Sequence, residues 1–353
     1  MLNLKIFSEF FLILSFLTAK VACSSCRINY DESLGCSSLE DLLNYPNPAN
    51  QTMISVFGVN DNELNVFSCD ESIFENFTSA EEFSLRRVKI LHVSEECFMG
   101  LNGLKVIDLR YNYLTNIYMG SFRPSAAMKV KTINLKGNKI SAIYFANVEM
   151  PEVENLDVSD NRLKSFRINR RIFHKILELN LGKNQISTFK IESETLKSLD
   201  LSGNRIKSFD GSSFVLPNLE EITLEGNFLT TITPDMFANM PKLINIRIPH
   251  NHLEKVSLPE FIKIRDIDLG YNKIKNISDV NIAVDHRMDG FLILQSNKFF
   301  ELDQTNLNID KLNHFHCSKC SIYSIDKFFF ANTFRSLRTL TLQFNYVTTL
   351  DIF

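Results

Sequence analysis

The chain has 353 residues, with 38 Lys plus Arg against 41 Asp plus Glu and a formal net charge of -3. That balance gives no global pull toward nucleic acid or an anionic membrane surface. Length by itself suggests two or three domains, and a phenylalanine count of 30 with no tryptophan sets aside a core built around indoles.

Residues 1–23 have the build of a secretory signal: Lys5 near the start, an apolar run from Phe10 to Leu17, then Thr18-Ala19-Lys20-Val21-Ala22-Cys23, with Glu9 as an interruption. The run is short against the ~20 residues a membrane span needs, and no later stretch qualifies, so export without a membrane span is expected. Seven cysteines suit an oxidising compartment. Cleavage after Cys23 leaves Cys26, Cys36, Cys69, Cys97, Cys317 and Cys320; cleavage after Ala22 leaves Cys23 as an odd thiol able to tether a partner chain. The first four surround the start of the array described next. Residues 24–63 are expected to cap it, with Thr52 to Val59 as a flanking strand and Asn44-Tyr45-Pro46-Asn47-Pro48 as a turn. Cys26 with Cys36 and Cys69 with Cys97 is the preferred pairing, although four cysteines allow three connectivities. In an exported chain, Asn50-Gln51-Thr52, Asn76-Phe77-Thr78 and Asn276-Ile277-Ser278 are glycan acceptors.

From residue 64 to residue 353 one unit recurs, about 13 times. Its clearest copy is Leu196-Lys197-Ser198-Leu199-Asp200-Leu201-Ser202-Gly203-Asn204-Arg205-Ile206, the L-x-x-L-x-L-x-x-N-x-L unit of a leucine-rich repeat. Leu199 and Leu201 are two apart and share one strand face. Asn204, at step 9, can donate and accept to backbone groups that the turn would leave buried and unpaired. Asn112, Asn138, Asn161, Asn184, Asn204, Asn227, Asn251, Asn272, Asn297 and Asn345 hold the same step, spaced within the range of about 20 to 29 residues for this repeat. A second column, eighteen residues after each opening residue, contains Phe122, Val148, Phe214, Phe237, Phe261, Ile282, Leu307 and Phe330 and is expected to line the convex side of the core. One unit cannot bury its apolar edge alone, so the coils stack around one continuous core.

The terminal coils are irregular. Leu64-x-x-Phe67-x-Cys69 reads as a degenerate first coil and Leu85-x-x-Val88-x-Ile90 as the start of a second; Asp279 to Gly290 reads as a deformed loop, with Asp289 in an opening apolar place. Leu337-x-x-Leu340-x-Leu342-x-x-Asn345 is a good coil with no cap after it. The expectation is an incomplete chain, the alternative a partner covering Leu340, Leu342 and Leu350.

His314-Phe315-His316-Cys317-Ser318-Lys319-Cys320 resembles a zinc or redox cluster out of context. The register puts Leu312, Phe315, Cys317, Cys320 and Ile322 inward and both histidines outward, so ligands on opposite faces cannot converge. Structural thiols are expected there, ahead of a metal site or a strained disulfide. Asp108, Asp157, Asp200 and Asp268 share step 5 with Asn134 and Asn180, which reads as a solvated sheet face ahead of paired catalytic carboxylates. No hydrolase, zincin, P-loop or dinucleotide fingerprint is present; neither enzyme activity nor a cofactor is expected. Outward steps from Leu243 to Asn345 carry Arg247, His250, Tyr271, Phe291, Ile293, His314, His316 and Phe344. Exposed aromatics beside Arg are typical interface anchors; irregular packing that buries Phe291 and Ile293 is the competing expectation. Arg110 and Tyr111 form a smaller pair upstream.

Signal, cysteine-bearing cap and asparagine ladder resemble extracellular leucine-rich repeat proteins, and the cysteine spacing resembles secreted insect repeat proteins of immune recognition, without their coiled-coil tail. The resemblance implies an α/β solenoid: a curved parallel sheet on the concave face, an irregular or short-helical convex side and a disulfide-bearing N-terminal cap. It also implies binding of a protein, glycan or lipid ligand by the concave face or flank; a secreted binding protein of innate immune recognition is the first expectation. The alternatives are the ectodomain of a membrane receptor or adhesion protein, and an enzyme inhibitor.

Overall fold

A computed structural model describes residues 26–57, 66–123, 129–145, 148–262, 264–283, 290–303, 312–330 and 336–348. Its spine is a 15-stranded sheet that runs in chain order from Arg27–Ile28 to Thr339–Thr341. The first pair is antiparallel and every later pair parallel. Most sheet strands are three residues long, as in Asn155–Asp157, Glu178–Asn180, Ser198–Asp200 and Glu221–Thr223. Such strands are too short to persist alone. Their stability comes from shared registers: Leu156, Leu179, Leu199 and Ile222 lie side by side across four rungs and are all buried.

The asparagine ladder fixes each corner. Asn204 Nδ2 donates to the carbonyls of Leu181 and Leu201, both at 3.0 Å, while its Oδ1 accepts from Ile186 N–H at 2.9 Å. Two of those three partners belong to the preceding coil. The pattern repeats through Asn112, Asn138, Asn161, Asn184, Asn227, Asn251, Asn272 and Asn297, and closes at Asn345 on Cys317. All but Asn345 are buried. Each amide therefore joins neighbouring rungs through groups that would otherwise be orphaned inside the core.

Beyond the ladder the chain turns back through short flank strands and 3-10 turns. Ser165–Ile168, Thr188–Glu192 and Phe214–Val215 form one flank sheet; Met119–Phe122 and Pro234–Phe237 are 3-10 turns. The convex column holds at Phe122, Phe214, Phe237, Ile282 and Phe330, which are buried, with Val148 partly so. It fails at Phe261, which is 52% exposed, because the next residue, Ile262, takes the core place. Leu307 lies outside the described residues, as do the signal 1–23, Val59, Leu64, Asp289 and Leu350.

The N-terminal cap is a short antiparallel pair closed by the Cys26–Cys36 disulfide and a helix at Leu39–Leu43, whose N-cap Ser38 accepts from Asp41 N–H. Cys69–Cys97 is the second bridge, matching the preferred connectivity. Two phasings differ from the sequence expectation. Phe67–Cys69 is a flank strand paired with Ile90–Val93, not a rung of the main sheet. The rungs there are Met53–Phe57 and Glu82–Arg86, so Leu85 is the second inward strand residue of its coil and not its opening residue. An apolar pair two apart occurs on both sides of a coil, and only the sheet register separates them. At the far end Leu340 is exposed and Leu342 half-buried.

Replacing Asn204 by Ala leaves the buried Ile186 N–H unpaired and takes one of two amide donors from the carbonyls of Leu181 and Leu201, which keep Asn184 and Asn227; the orphaned N–H costs about 1–3 kcal/mol. Urea unfolding followed by circular dichroism is expected to show a loss of about 1–3 kcal/mol, and a smaller one for Asn345→Ala on the half-buried last rung.

Candidate binding face

Each strand alternates, so the residues flanking an inward leucine stand on the concave sheet face. One of the two outward positions has a structural duty. Oδ1 of Asp157, Asn180, Asp200 and Asp268 accepts from the N–H two residues on, at 2.8 to 3.0 Å; Asp108 and Asn134 do the same at 3.1 and 3.2 Å. Asp or Asn at step 5 is therefore a turn cap of the Asx type, which explains their interleaving. Asp108 is in addition clamped by Arg86 and Arg110, each at 2.7 Å, so the upstream Arg110 is committed to the scaffold. Beyond this cap the row faces a polar hollow of about 530 Å³, lined by Thr132, Asn134, Asp157, Glu178, Asn180 and Asp200 among others.

The residue before each ladder asparagine is left-handed. Tyr111, Asp160, Lys183, His250, Tyr271, Ser296, Lys319 and Phe344 have φ between 53° and 59°, in step with Gly137, Gly203 and Gly226. For a non-glycine residue this conformation costs about 1–2 kcal/mol. Three glycines at one repeat step were the signal in the sequence, and they mark where aromatic residues are tolerated only at a cost. His250, Tyr271 and Phe344 all sit there. Their rings project at the corner of the sheet: His250 stacks on Tyr271 at 4.2 Å with the planes 12° apart, and Lys319 Nζ lies 5.5 Å from the Phe344 ring.

The other candidate residues stand on the sheet itself. Phe291, Leu292 and Ile293 are in register with His314, Phe315 and His316, so Leu292 and Phe315 are buried while their neighbours face out. Phe291 stacks on His314 at 4.0 Å, with the rings 7° apart, and lies 6.2 Å from His316. It remains 36% exposed; Tyr271 is 44% and Phe344 75% exposed. Ile293, His314 and His316 are half-buried and Arg247 is exposed. Packing therefore does not bury Phe291 and Ile293. The structure brings Phe291, Ile293, His314 and His316 into one patch; His250 with Tyr271 forms a second, and Phe344 stands apart near the last rung.

Burial, aided by the positive neighbour His314, holds the His316 imidazole below its ordinary value. Asp268 moves the other way: burial raises it, Glu225 adds to that, and the Gly270 N–H, Arg247 and His250 oppose it. Nothing among the described ion pairs reaches the Asp268 carboxylate.

The cysteine pair corrects the sequence expectation of free thiols. Cys317 and Cys320 are inward and fully buried, as the register requires, but they are joined in a disulfide. Step 6 and step 9 of one coil are brought together by the turn between them, a proximity that the alternation of faces alone does not reveal. A disulfide sulfur carries no proton, so the 3.3 Å approach of Cys320 Sγ to the Leu294 carbonyl is a packing contact where other coils have an amide donor. Among the described residues no cluster of His, Cys, Asp and Glu could hold a metal ion and no helix is long and apolar enough to cross a membrane. The acceptors Asn50, Asn76 and Asn276 are exposed. Asn276 opens the Ile277–Asp279 turn on the flank, with Nδ2 3.0 Å from Asp279.

A leucine rich repeat family model matches residues 78–140 and 194–253. Osteomodulin of Bos taurus is 23% identical over 317 residues, 86% of this chain and 66% of its own. Keratocan of Danio rerio is 33% identical over 243 residues, 66% of this chain and 60% of its own. The chain thus spans 60 to 66% of the length of these relatives. Among solved structures, the leucine-rich repeat domain of APL1B has a TM-score of 0.57 at 20% identity, covering 76% of this chain and 77% of that one. The functional domain of InlJ from Listeria monocytogenes has a TM-score of 0.56 at 18% identity, covering 80% and 62%. At such identities the structural likeness is one of fold.

Two measurements check the site chemistry. In an NMR titration His316 is expected to protonate below the ordinary ~6.5 and to move up when His314 is replaced by Asn. Because its folded value is depressed, its contribution to stability is present above the unfolded value and is lost as the pH falls below ~6.5. Alkylation of unfolded, unreduced protein should leave Cys317 and Cys320 unlabelled; labelling of both would restore the free thiols.

Proposed function

We propose that this leucine-rich repeat chain is a secreted, non-enzymatic binding protein that holds a protein ligand on the concave sheet face around Phe291. The observation that carries this is the stack of Phe291 on His314 beside half-buried Ile293 and His316. Most outward sheet positions elsewhere carry polar groups, several tied into turn caps, whereas these rings have no such scaffold duty. Aromatic residues held rigidly at partial exposure supply contact area at little further entropic cost. The patch lies on consecutive rungs of a stacked array, so a ligand meets it pre-formed.

A secreted location is supported by the disulfides of the cap and the signal-like leader. A glycan ligand is the second reading, favoured by the polar hollow lined by Asn134, Asp157, Asn180 and Asp200. A role in innate immunity rests on the resemblance of the cysteine spacing to insect repeat proteins; a receptor ectodomain and an enzyme inhibitor remain the alternatives for the whole protein.

Affinity capture with the whole secreted chain tests the face. Phe291→Ala is expected to weaken a captured protein ligand by about tenfold or more, the range of an aromatic hot spot, and to leave the thermal midpoint nearly unchanged. A captured ligand indifferent to both Phe291→Ala and Tyr271→Ala would discard this face.

A further inference from the structure

Away from the concave face, one flank of the solenoid has a charge asymmetry that the scaffold does not require. On the coils of Asn138, Asn161, Asn184 and Asn204, the outward steps from the ladder corner into the flank are one, three, four and six after the asparagine. Those positions hold seven cations and one acid, in a chain whose net charge is -3. Lys139, Arg162 and Arg205 stand at the first step, Lys164 and Lys207 at the third, Arg167 and Lys190 at the sixth; all are exposed except the half-buried Lys139. The acid is Asp210, at the far end, whose Oδ1 already accepts from the Ser212 N–H and hydroxyl. Cations elsewhere on these coils are paired. Near the strand openings Lys131 meets Glu154, Lys175 meets Glu152 and Lys197 meets Glu220, at 2.8 to 3.3 Å. On the flank, among the described residues, Lys190 alone of the seven has an ion pair, with Glu192 at 3.0 Å, and Lys139 lies over the Tyr113 ring at 4.0 Å. Arg167 and Lys190 are even Cα partners in the flank sheet, about 4.8 Å apart, where like charges repel. Exposed hydroxyls of Ser165, Ser187 and Ser208 alternate with the cations. The row of Arg167 is continued on the preceding coils by Tyr144 and Tyr118, register partners whose exposed rings stack at 4.9 Å.

We propose that this flank, from Tyr118 to Lys207, is a second binding surface, and that its occupant is a linear sulfated polysaccharide. Charge complementarity selects a polyanion: five exposed cations without an ion pair, and a like-charge pair on facing strands, are relieved together when anionic groups seat between them. The rungs repeat at about 4.8 Å, so the cations form a stripe along the solenoid axis that an extended chain can follow. Sulfate oxygens accept from ammonium, guanidinium and hydroxyl groups alike, and the alternation of serine with Lys and Arg offers all three. The tyrosines at one end are apolar along the ring and polar at the tip, which suits the mixed surface of a sugar. An anionic bilayer is served less well, because the stripe lacks the row of apolar side chains that enters a membrane interface. A nucleic acid would meet the same cations; the choice of polysaccharide rests on the secreted location proposed above. The stripe shares no residue with the patch around Phe291, so the two surfaces can be occupied at once.

The test titrates the whole chain with a heparin-derived octasaccharide, read by calorimetry. Saturable binding is expected, falling about tenfold or more between about 50 and 200 mM salt as counterions are released. Replacing Arg162, Lys164 and Arg167 together by Ser, all on exposed side chains, is expected to weaken the octasaccharide about tenfold or more and to leave the thermal midpoint nearly unchanged. Replacing Lys131, Lys175 and Lys197 together by Ser makes the same change in net charge at the strand openings and is expected to leave the affinity nearly unchanged. An unaltered affinity in the flank variant, or an equal loss in the strand-opening variant, would overturn the proposal. So would equal binding of the desulfated, N-acetylated octasaccharide, or tighter binding of a single-stranded oligonucleotide of matched charge or of vesicles rich in phosphatidylserine. The two surfaces fail separately. A chain that captures a protein ligand through Phe291 but ignores the octasaccharide loses the flank and keeps the face. One that binds the octasaccharide while its protein ligand is indifferent to Phe291 and Tyr271 keeps the flank and loses the face.

Discussion

The buried asparagine at the end of each strand is the constraint from which the rest follows. A three-residue strand followed by a sharp turn leaves carbonyls and an N–H pointing into the core, where each unpaired group costs about 1–3 kcal/mol. One carboxamide answers two acceptors and one donor at once, and reaches back to the previous coil to do so. Leucine or valine in its place would fill the volume but abandon the backbone. Aspartate would bring a charge against two carbonyls. The amide is thus both the corner of its own coil and the bolt to the one before, which is why the array is stable only as a stack.

Once the corner is fixed, the outward surface sorts itself by duty. Asp or Asn at step 5 caps the following turn, and this reserves one outward column for scaffold work over much of the sheet. The column two residues earlier is free of that duty. There the chain carries Glu221, Asn245, Asp266, Phe291 and His314 in succession, a passage from acceptors to rings. Residues at the left-handed corner form a third class: glycine is the easy solution, and Tyr271 and His250 occupy the position at a conformational cost. The left-handed step recurs along the array from Tyr111 to Phe344 and belongs to the corner geometry; its aromatic members His250 and Tyr271 border the aromatic patch.

The disulfides mark the two places where the repeat rule is broken. At the N-terminal side Cys26–Cys36 and Cys69–Cys97 close coils that have no ladder asparagine of their own. Near the other end Cys320 stands at the asparagine step and is tied to Cys317 within its coil. On the neighbouring rung Asn345 Oδ1 accepts from both Cys320 N–H and Ile322 N–H. A covalent link thus stands where the other coils have an amide.

How much of this was legible in the sequence depended on whether a feature repeats. The ladder asparagines, the inward leucines and the outward histidines at 314 and 316 could all be placed by phase, because one periodic backbone puts equal steps in equal environments. The irregular coils could not. Phe67–Cys69 and Leu85 were misphased, Phe261 was given the core place that Ile262 holds, and the Cys317–Cys320 bond was missed. For the two strands and Phe261 two local patterns were equally good and only contact with the adjacent coil chose between them; the disulfide is made inside one coil by a turn that the alternation of faces does not reveal. The environment of Asn245 belongs to that second kind. Sequence fixes Asn245 as an outward residue, but its burial, its bond to Glu221 and its unpaired carbonyl exist only because neighbouring rungs, more than twenty residues away along the chain, stand side by side in the sheet.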